Sequence, residues 1–136
     1  MNCLITFCSS RKRHGCRRAI ELYDGPIFKI LRRHKKNFDV FIISAKYGLI
    51  SENDIICNYD LKMTEKIAEN IRDSVTKKFD KIKDRYERIY INLGRTYMKA
   101  LKINEMDSSR IVYIDGSIGQ RMKQIKELLN ENQTRF

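Results

Sequence analysis

Apolar positions along the chain fall into two alternating kinds of segment. Four short runs are almost continuously apolar and rich in Ile, Val, Phe or Tyr: residues 2–8 (NCLITFC), 38–44 (FDVFIIS), 88–93 (RIYINL) and 110–115 (RIVYID). Runs of that length and composition suit strands covered on both faces, as in a parallel sheet. Between them the apolar residues step by three or four. Ile27, Ile30 and Leu31 give an inner face to a helix starting near Pro26, for which Asp24 is the expected cap. Met63, Ile67, Ile71, Val75, Phe79 and Ile82 form one stripe of a longer helix capped by Thr64. A short helix is predicted over 96–101. A last one is predicted over 117–129, with Ile118, Met122, Ile125, Leu128 and Leu129 inward, and the polar tail 130–136 is expected to fray.

Strands alternating with helices imply βαβ units and right-handed crossovers. The predicted architecture is one α/β domain over residues 1–136. It is a three-layer α/β/α sandwich around a central four-stranded, mostly parallel sheet, with the first strand in the middle. Residues 45–62 follow neither period, and a structureless stretch of that length inside a compact domain is expected to be functional.

In open parallel sheets, ligands bind beyond the carboxyl ends of the strands. The post-strand segments here are 9–18, 45–49, 94–97 and 116–121. All six glycines (Gly15, Gly25, Gly48, Gly94, Gly116 and Gly119) lie in or shortly after them. Glycine permits tight turns and close backbone approach to a ligand, although turn chemistry alone also favours it.

Charge sharpens the picture. The net charge is +11, and residues 1–50 hold 11 Lys/Arg against 3 Asp/Glu while the rest of the chain holds 17 against 14. The excess gathers at Arg11, Lys12, Arg13, Arg17 and Arg18, then at Lys29, Arg32, Arg33, Lys35 and Lys36. A localised field of this kind favours a polyanion or a phosphorylated ligand; a solvated basic face is the plainer alternative.

Cys8, Ser9, Ser10, Arg11 and Lys12 put hydroxyl and basic side chains at a strand end, a composition that can wrap an anion, although no P-loop and no G-x-G-x-x-G is present. Lys12 and Lys46 are candidate nucleophiles or bases, because neighbouring positive charges push a lysine pKa down; a phosphate contact is the alternative role. Asp60 is a candidate general base, with pairing to an arginine as the alternative. Ser44, Tyr47, Gly48, Tyr59, Gly94, Arg95, Gly116, Gly119 and Gln120 complete the expected ligand lining. Tyr23 and Phe28 are expected to pack behind this crevice, and Asp60 to meet an arginine or lysine at its rim.

The four cysteines, Cys3, Cys8, Cys16 and Cys57, are irregularly spaced with no C-x-x-C. Free thiols in a reducing compartment are therefore expected over a disulfide framework. Cys8, His14 and Cys16 are one ligand short of a zinc set, so no metal is assigned, and no cofactor is called for. No apolar run approaches about 20 residues. The first basic cluster follows the first apolar run, the reverse of a secretory signal. A cytoplasmic location without a membrane partner is expected.

Several motifs occur in a familiar order. They are Cys8-Ser9-x-x-Lys12, Glu21-Leu22-Tyr23-x-Gly25-x-x-Phe28, Ser44-Ala45-Lys46-Tyr47-Gly48-Leu49 and Tyr59-Asp60-Leu61, then Gly94-Arg95-x-Tyr97 and Gly116-x-x-x-Gln120. Together they resemble a prokaryotic family related to the peroxide-stress protein YaaA. The resemblance implies a fold like that of the uracil-DNA-glycosylase superfamily, and the chain is more loosely similar to the catalytic domain of archaeosine synthase. Arg13 and His14 follow Lys12 where that domain has a KPYS-like continuation. The water-activating Asp loop and catalytic His motif of uracil-DNA glycosylases are missing, so uracil excision is not implied.

The expected function is recognition or processing of a base or nucleotide in DNA or tRNA through a basic crevice at the strand ends. The alternatives are an enzyme acting on a free nucleotide, nucleoside or modified base, and a non-catalytic stress-response domain. The expected partner is accordingly nucleic acid or a phosphorylated small molecule.

Overall fold

The computed structural model describes residues 1–34 and 38–134 of the chain. The elements run β1 (Asn2–Phe7), β2 (Cys16–Arg18), α1 (Ala19–Leu22), α2 (Pro26–His34), β3 (Phe38–Ser44), β4 (Gly48–Ser51) and β5 (Ile55–Cys57). They continue with α3 (Glu65–Ile82), β6 (Arg88–Asn92), α4 (Arg95–Met98), β7 (Ile111–Tyr113) and α5 (Ile118–Thr134). β1 pairs in parallel with β3 on one side and β6 on the other, and β6 pairs in parallel with β7. β4 folds back antiparallel on β3, giving the order β4-β3-β1-β6-β7.

The main sheet is thus five-stranded and mixed rather than four-stranded. The extra edge strand comes from the stretch expected to be an irregular loop. Ser44 Oγ accepts from the backbone N–H of Lys46 at 3.2 Å and of Tyr47 at 3.1 Å. Gly48 then adopts φ +74°. A three-residue connection closed by a left-handed glycine is a common hairpin design, and it turns β3 directly into β4. Further along the same stretch, β5 pairs antiparallel with β2 in a separate two-stranded ribbon.

Alternate strand residues face opposite cores. Leu4, Val40 and Ile42 pack with Ile27 and Leu31 of α2 and with Ile125 and Leu129 of α5. Cys3, Ile5, Ile43, Ile89 and Ile91 pack with Val75 and Phe79 of α3 and with Ala100 and Leu101 after α4. Both faces of the sheet are covered, which is why the strand runs are apolar without alternation. The buried Cys3 thiol is pushed up to about 12, by burial first and by the nearby Asp39 carboxylate second, and is chemically quiet.

Thr64 caps α3 as expected, its Oγ1 accepting the Ile67 N–H at 3.2 Å. Asp24 does not cap α2. Its carboxylate takes Arg32 at 2.6 Å and Arg13 at 3.6 Å, and the Arg32 bond above all holds its pKa below the ordinary value. Arg32 also donates to the carbonyls of Ile20 and Tyr23, tying the end of α1 to α2. At α5, Ser117 N–H donates to Gln120 Oε1 at 2.8 Å while Gln120 N–H donates to Ser117 Oγ at 3.2 Å, a reciprocal cap. Ile118, expected inward, is 49% exposed, because the helix begins there and its apolar stripe starts a turn later. α5 runs to Thr134. Lys35, Lys36 and residues 135–136 lie outside the described residues. Arg110 does not open the last strand. It ends a short 3-10 helix (Glu105–Arg110) and bonds Asp107 at 2.7 Å, while Asp107 also holds Lys83 at 2.8 Å.

Candidate functional site

Because β1, β3 and β6 are parallel and in register, the segments that follow them emerge at one edge of the sheet. The chain leaves β1 for β3 on one side and later returns to β6 on the other, so β1 and β6 border the topological switch point. A buried polar network fixes their ends. Asn92, at the end of β6, donates to Thr6 Oγ1 at 3.0 Å and accepts from Arg121 at 2.8 Å. Arg121 also reaches the carbonyls of Ile114 and Gly116, locking the start of α5 to the same edge.

A cleft of about 190 Å³ opens there, lined by Cys8, Ser9, Ser10, Lys12, Asp60, Leu61, Lys62, Met63 and Tyr97. Beside it the phenol oxygen of Tyr59 lies 2.8 Å from Ser44 Oγ and 2.7 Å from the Tyr23 hydroxyl. Ser44 Oγ already accepts two N–H groups, so its own proton goes to Tyr59, which donates in turn to Tyr23. The Tyr97 hydroxyl lies 3.1 Å from Cys8 Sγ, joining the ends of β1 and α4 across the switch point. Phe28 packs on Tyr23 at 5.3 Å between ring centroids, behind this hydroxyl chain.

Lys12 Nζ sits 4.4 Å from the centroid of the Tyr59 ring. Lys46 Nζ lies 5.3 Å from the Tyr47 ring and 6.0 Å from Tyr59. These are cation–π distances. Burial first, and then the nearby Cys8, raises the pKa of Tyr59 and of Tyr97, and burial pushes Tyr23 up to about 12. All three phenols stay protonated at neutral pH and serve as neutral hydrogen-bonding groups.

Local backbone pairing places the two key side chains. Arg13 N–H bonds the Leu22 carbonyl and Asp24 N–H bonds the Arg11 carbonyl, each at 2.8 Å, so Lys12 is held opposite Tyr23. Asn58 bonds the carbonyls of Gly15 and Arg13 through its N–H and its side-chain amide, each at 2.9 Å, which positions Tyr59 next to it. A disulfide between Cys16 and Cys57 joins the same two segments across the β2–β5 ribbon. This corrects the expectation of four free thiols: Cys3 and Cys8 are free, Cys16 and Cys57 are not. Irregular sequence spacing carries no information about a partner brought alongside by an antiparallel ribbon.

The expected site residues divide into two groups. Cys8, Ser9, Ser10, Lys12 and Asp60 line the cleft, and Ser44, Lys46, Tyr47 and Tyr59 adjoin it. Asp60 does not meet an arginine or lysine: among the described residues it has no ion pair within 4.0 Å. Lys12 is not ringed by arginines either, since Arg13 turns to Asp24, Arg17 to the His14 carbonyl and Arg18 to Glu21. Arg11 is exposed, and its backbone N–H rather than its side chain bonds Ser9 Oγ.

The remaining expected residues do other work. Gly48 shapes the hairpin turn, and Gly94 precedes α4 while its neighbour Arg95 lies toward Glu65 on α3. Gln120 caps α5, Gly116 packs against the Gln120 side chain, and Gly119 lies in open space within α5. Gly25 matters more than its motif position suggested. A Cβ there would come within 2.6 Å of Ser9 Oγ, so glycine lets the segment after β1 lie flat on the start of α2.

Sequence reasoning left Tyr97, Leu61, Lys62 and Met63 out of the site. Tyr97 was within reach, because it stands three residues beyond Gly94 at a strand end.

The fold is that of a mixed α/β protein with a strand-end cleft beside which phenol hydroxyls, a thiol and lysines gather. The chain belongs to the family described as "Family of unknown function (DUF6884)", whose sequence profile matches residues 3–127. Its fold is similar to that in "Crystal structure of AF0587, a protein of unknown function", with a TM-score of 0.51 and 13% sequence identity. That similarity covers 94% of this chain and 44% of the other, so the chain spans less than half the length of that protein. A comparison with curated proteins found no match. Among the described residues, no helix is long and apolar enough to cross a membrane.

Proposed function

We propose that the cleft recognises a single unstacked base or nucleotide presented by a nucleic-acid strand, DNA or tRNA. The observation that carries this reading is the seating of Lys12 over the Tyr59 ring beside a cleft of about 190 Å³. A space that small is below the range of about 300–1,000 Å³ for drug-sized ligand sites. It suits one ring system and is too narrow for a duplex. A strand that draws the Lys12 ammonium onto its phosphate uncovers the Tyr59 face, and tyrosine faces stack on bases without regard to their identity; Lys46 and Lys62 supply further charge for the adjoining phosphates. The net charge of +11 adds long-range attraction for a polyanion. The resemblance to the YaaA-related family supports the same reading, because its motif at Cys8–Lys12 lines the cleft and its motif at Ser44–Leu49 holds Tyr59 beside it.

The test is binding of labelled single-stranded DNA, tRNA and duplex DNA at two salt concentrations, with Lys12→Ala alongside. Single strands and tRNA should bind more tightly than duplex, and Lys12→Ala should weaken both. Absence of binding to any strand at low salt would end this reading. A second reading, an enzyme on a free nucleotide or modified base, is favoured by the cleft size alone. It would replace the first if mononucleotides bound as tightly as strands.

A further inference from the structure

The side chains beside the cleft come from two arms that the main sheet does not join. One arm, after β1, carries Lys12; the other, after β5, carries Tyr59. They meet through the β2–β5 ribbon, where Cys16 stands opposite Cys57. Each strand of that ribbon has three residues, and an isolated pair of strands is marginal in water. Both cysteines are exposed, so a dissolved thiol can reach the bond. Cys57 is also bracketed by Tyr47, whose hydroxyl donates to the Cys57 carbonyl at 3.2 Å and accepts its N–H at 3.4 Å. Tyr47 in turn packs edge-on against Tyr59, with 5.5 Å between ring centroids. What happens at this one bond therefore bears on Lys12, Tyr47 and Tyr59 together.

We propose that Cys16–Cys57 is a reversible thiol–disulfide site that sets whether Lys12 and Tyr59 are held together at the cleft. As a regulation of ligand binding, the proposal rests on the reading of the cleft as a nucleotide site. The co-reactant is a dithiol. Its thiolate attacks one cysteine sulfur, the S–S bond breaks, and a mixed disulfide forms. The second thiol of the reagent displaces the protein cysteine and closes its own disulfide. The protein gains two electrons and two protons as two thiols, and the dithiol loses the same. With the bond open, the two arms are still joined by the short ribbon, the Asn58 hydrogen bonds, the Ala19–Asp54 and Ile20–Glu52 backbone bonds, the Arg18–Asn53 bond and the Tyr23–Tyr59 hydroxyl contact, so part of the population stays docked.

The experiment uses the full chain in its oxidised form, after reduction with dithiothreitol, and as the Cys16→Ser/Cys57→Ser double variant. Alkylation and mass measurement establish the state of the bond in each. Amide hydrogen exchange over 11–18 and 55–60 reads the docking of the arms, and a labelled single-stranded DNA reads the cleft. Reduction should speed exchange in both arms and weaken binding about five-fold, the effect expected when about a fifth of the population stays docked. Reoxidation should restore both, and the double variant should behave as the reduced protein with no response to dithiothreitol. If the double variant fails to fold, the reduced wild-type protein gives the same comparison. Unchanged exchange with the bond open overturns the proposal, as does faster exchange with unchanged affinity. Faster exchange on reduction with no DNA binding in either state supports control of the arms and removes the nucleotide reading instead.

Discussion

Replacing Tyr59 by phenylalanine separates the two contributions of this residue. The change deletes the oxygen that lies 2.7 Å from the Tyr23 hydroxyl and 2.8 Å from Ser44 Oγ, and leaves the ring in place. Tyr23 and Ser44 are each fully buried, so water does not replace the lost partner. Ser44 keeps its two N–H bonds but has no acceptor for its proton; Tyr23 loses its donor. A buried polar group without its partner costs about 1–3 kcal/mol, so the pair should cost about 2–3 kcal/mol, at the low end because each is a neutral hydroxyl. In a domain of this size that lowers Tm by roughly 10 °C. Urea unfolding should show a lower midpoint at an unchanged slope. Binding should behave differently, because the ring beneath Lys12 survives. Single-strand affinity of Tyr59→Phe should fall less than about two-fold. Tyr59→Leu should lose about five-fold or more, in line with about 1–3 kcal/mol for a base stacked on an aromatic side chain. A Tyr59→Phe protein within about 0.5 kcal/mol of wild type would refute the hydroxyl-chain argument. Equal binding losses in the two variants would refute the stacking argument.

Three further outcomes are expected. If Lys12, Lys46 and Lys62 contact phosphates of a single strand, log K against log salt should have a slope of about −2, and Lys12→Ala should reduce it by about 0.7; a slope near −7 on titration would mean that the whole basic surface binds. Asn92→Ala strips Thr6 and Arg121 of a fully buried partner and should cost about 3 kcal/mol. A denaturation double-mutant cycle with Thr6→Val should show coupling of at least about 0.5 kcal/mol, and additive losses would contradict the shared bond. At high pH, the raised pKa values of Tyr23, Tyr59, Tyr86 and Tyr97 mean that the unfolded chain gives up phenol protons near pH 10 while the folded chain keeps them. Stability from these four groups is complete below pH 10 and falls as pH rises through about 12, so denaturation midpoints measured across that window should drop steeply; a flat profile would contradict it.

Much of the molecule can be read from residue spacing. The runs at 2–8, 38–44 and 88–93 contain β1, β3 and β6 because continuous apolarity is what two covered faces require, and Thr64 signals its own helix. From sequence, Ser44-Ala45-Lys46-Tyr47-Gly48 reads as part of a binding loop, although a hydroxyl at a strand end and a glycine four residues later also describe a hairpin. Local pattern does not decide between the two; the pairing partner does. The same limit hid the Cys16–Cys57 bond, which depends on a ribbon of two three-residue strands too short to show a period. By residue type alone, Arg32 belongs to a charged surface and Asp24 to a helix cap. In the fold each finds a better partner in the other, which charge counting does not capture.

The connection between β3 and β4 has a consequence for how this protein tolerates change. Ala45, Lys46 and Tyr47 are carried between two paired strands, and the turn is closed by the Ser44 hydroxyl and the positive φ of Gly48. The geometry of the turn is therefore independent of the side chain at position 46, which is exposed. That position is a modular one: its charge, length and reach can be exchanged while the scaffold beneath stays the same. On the proposed reading of the cleft, ligand preference would drift there through single substitutions, whereas Gly48 and Ser44 have no such freedom.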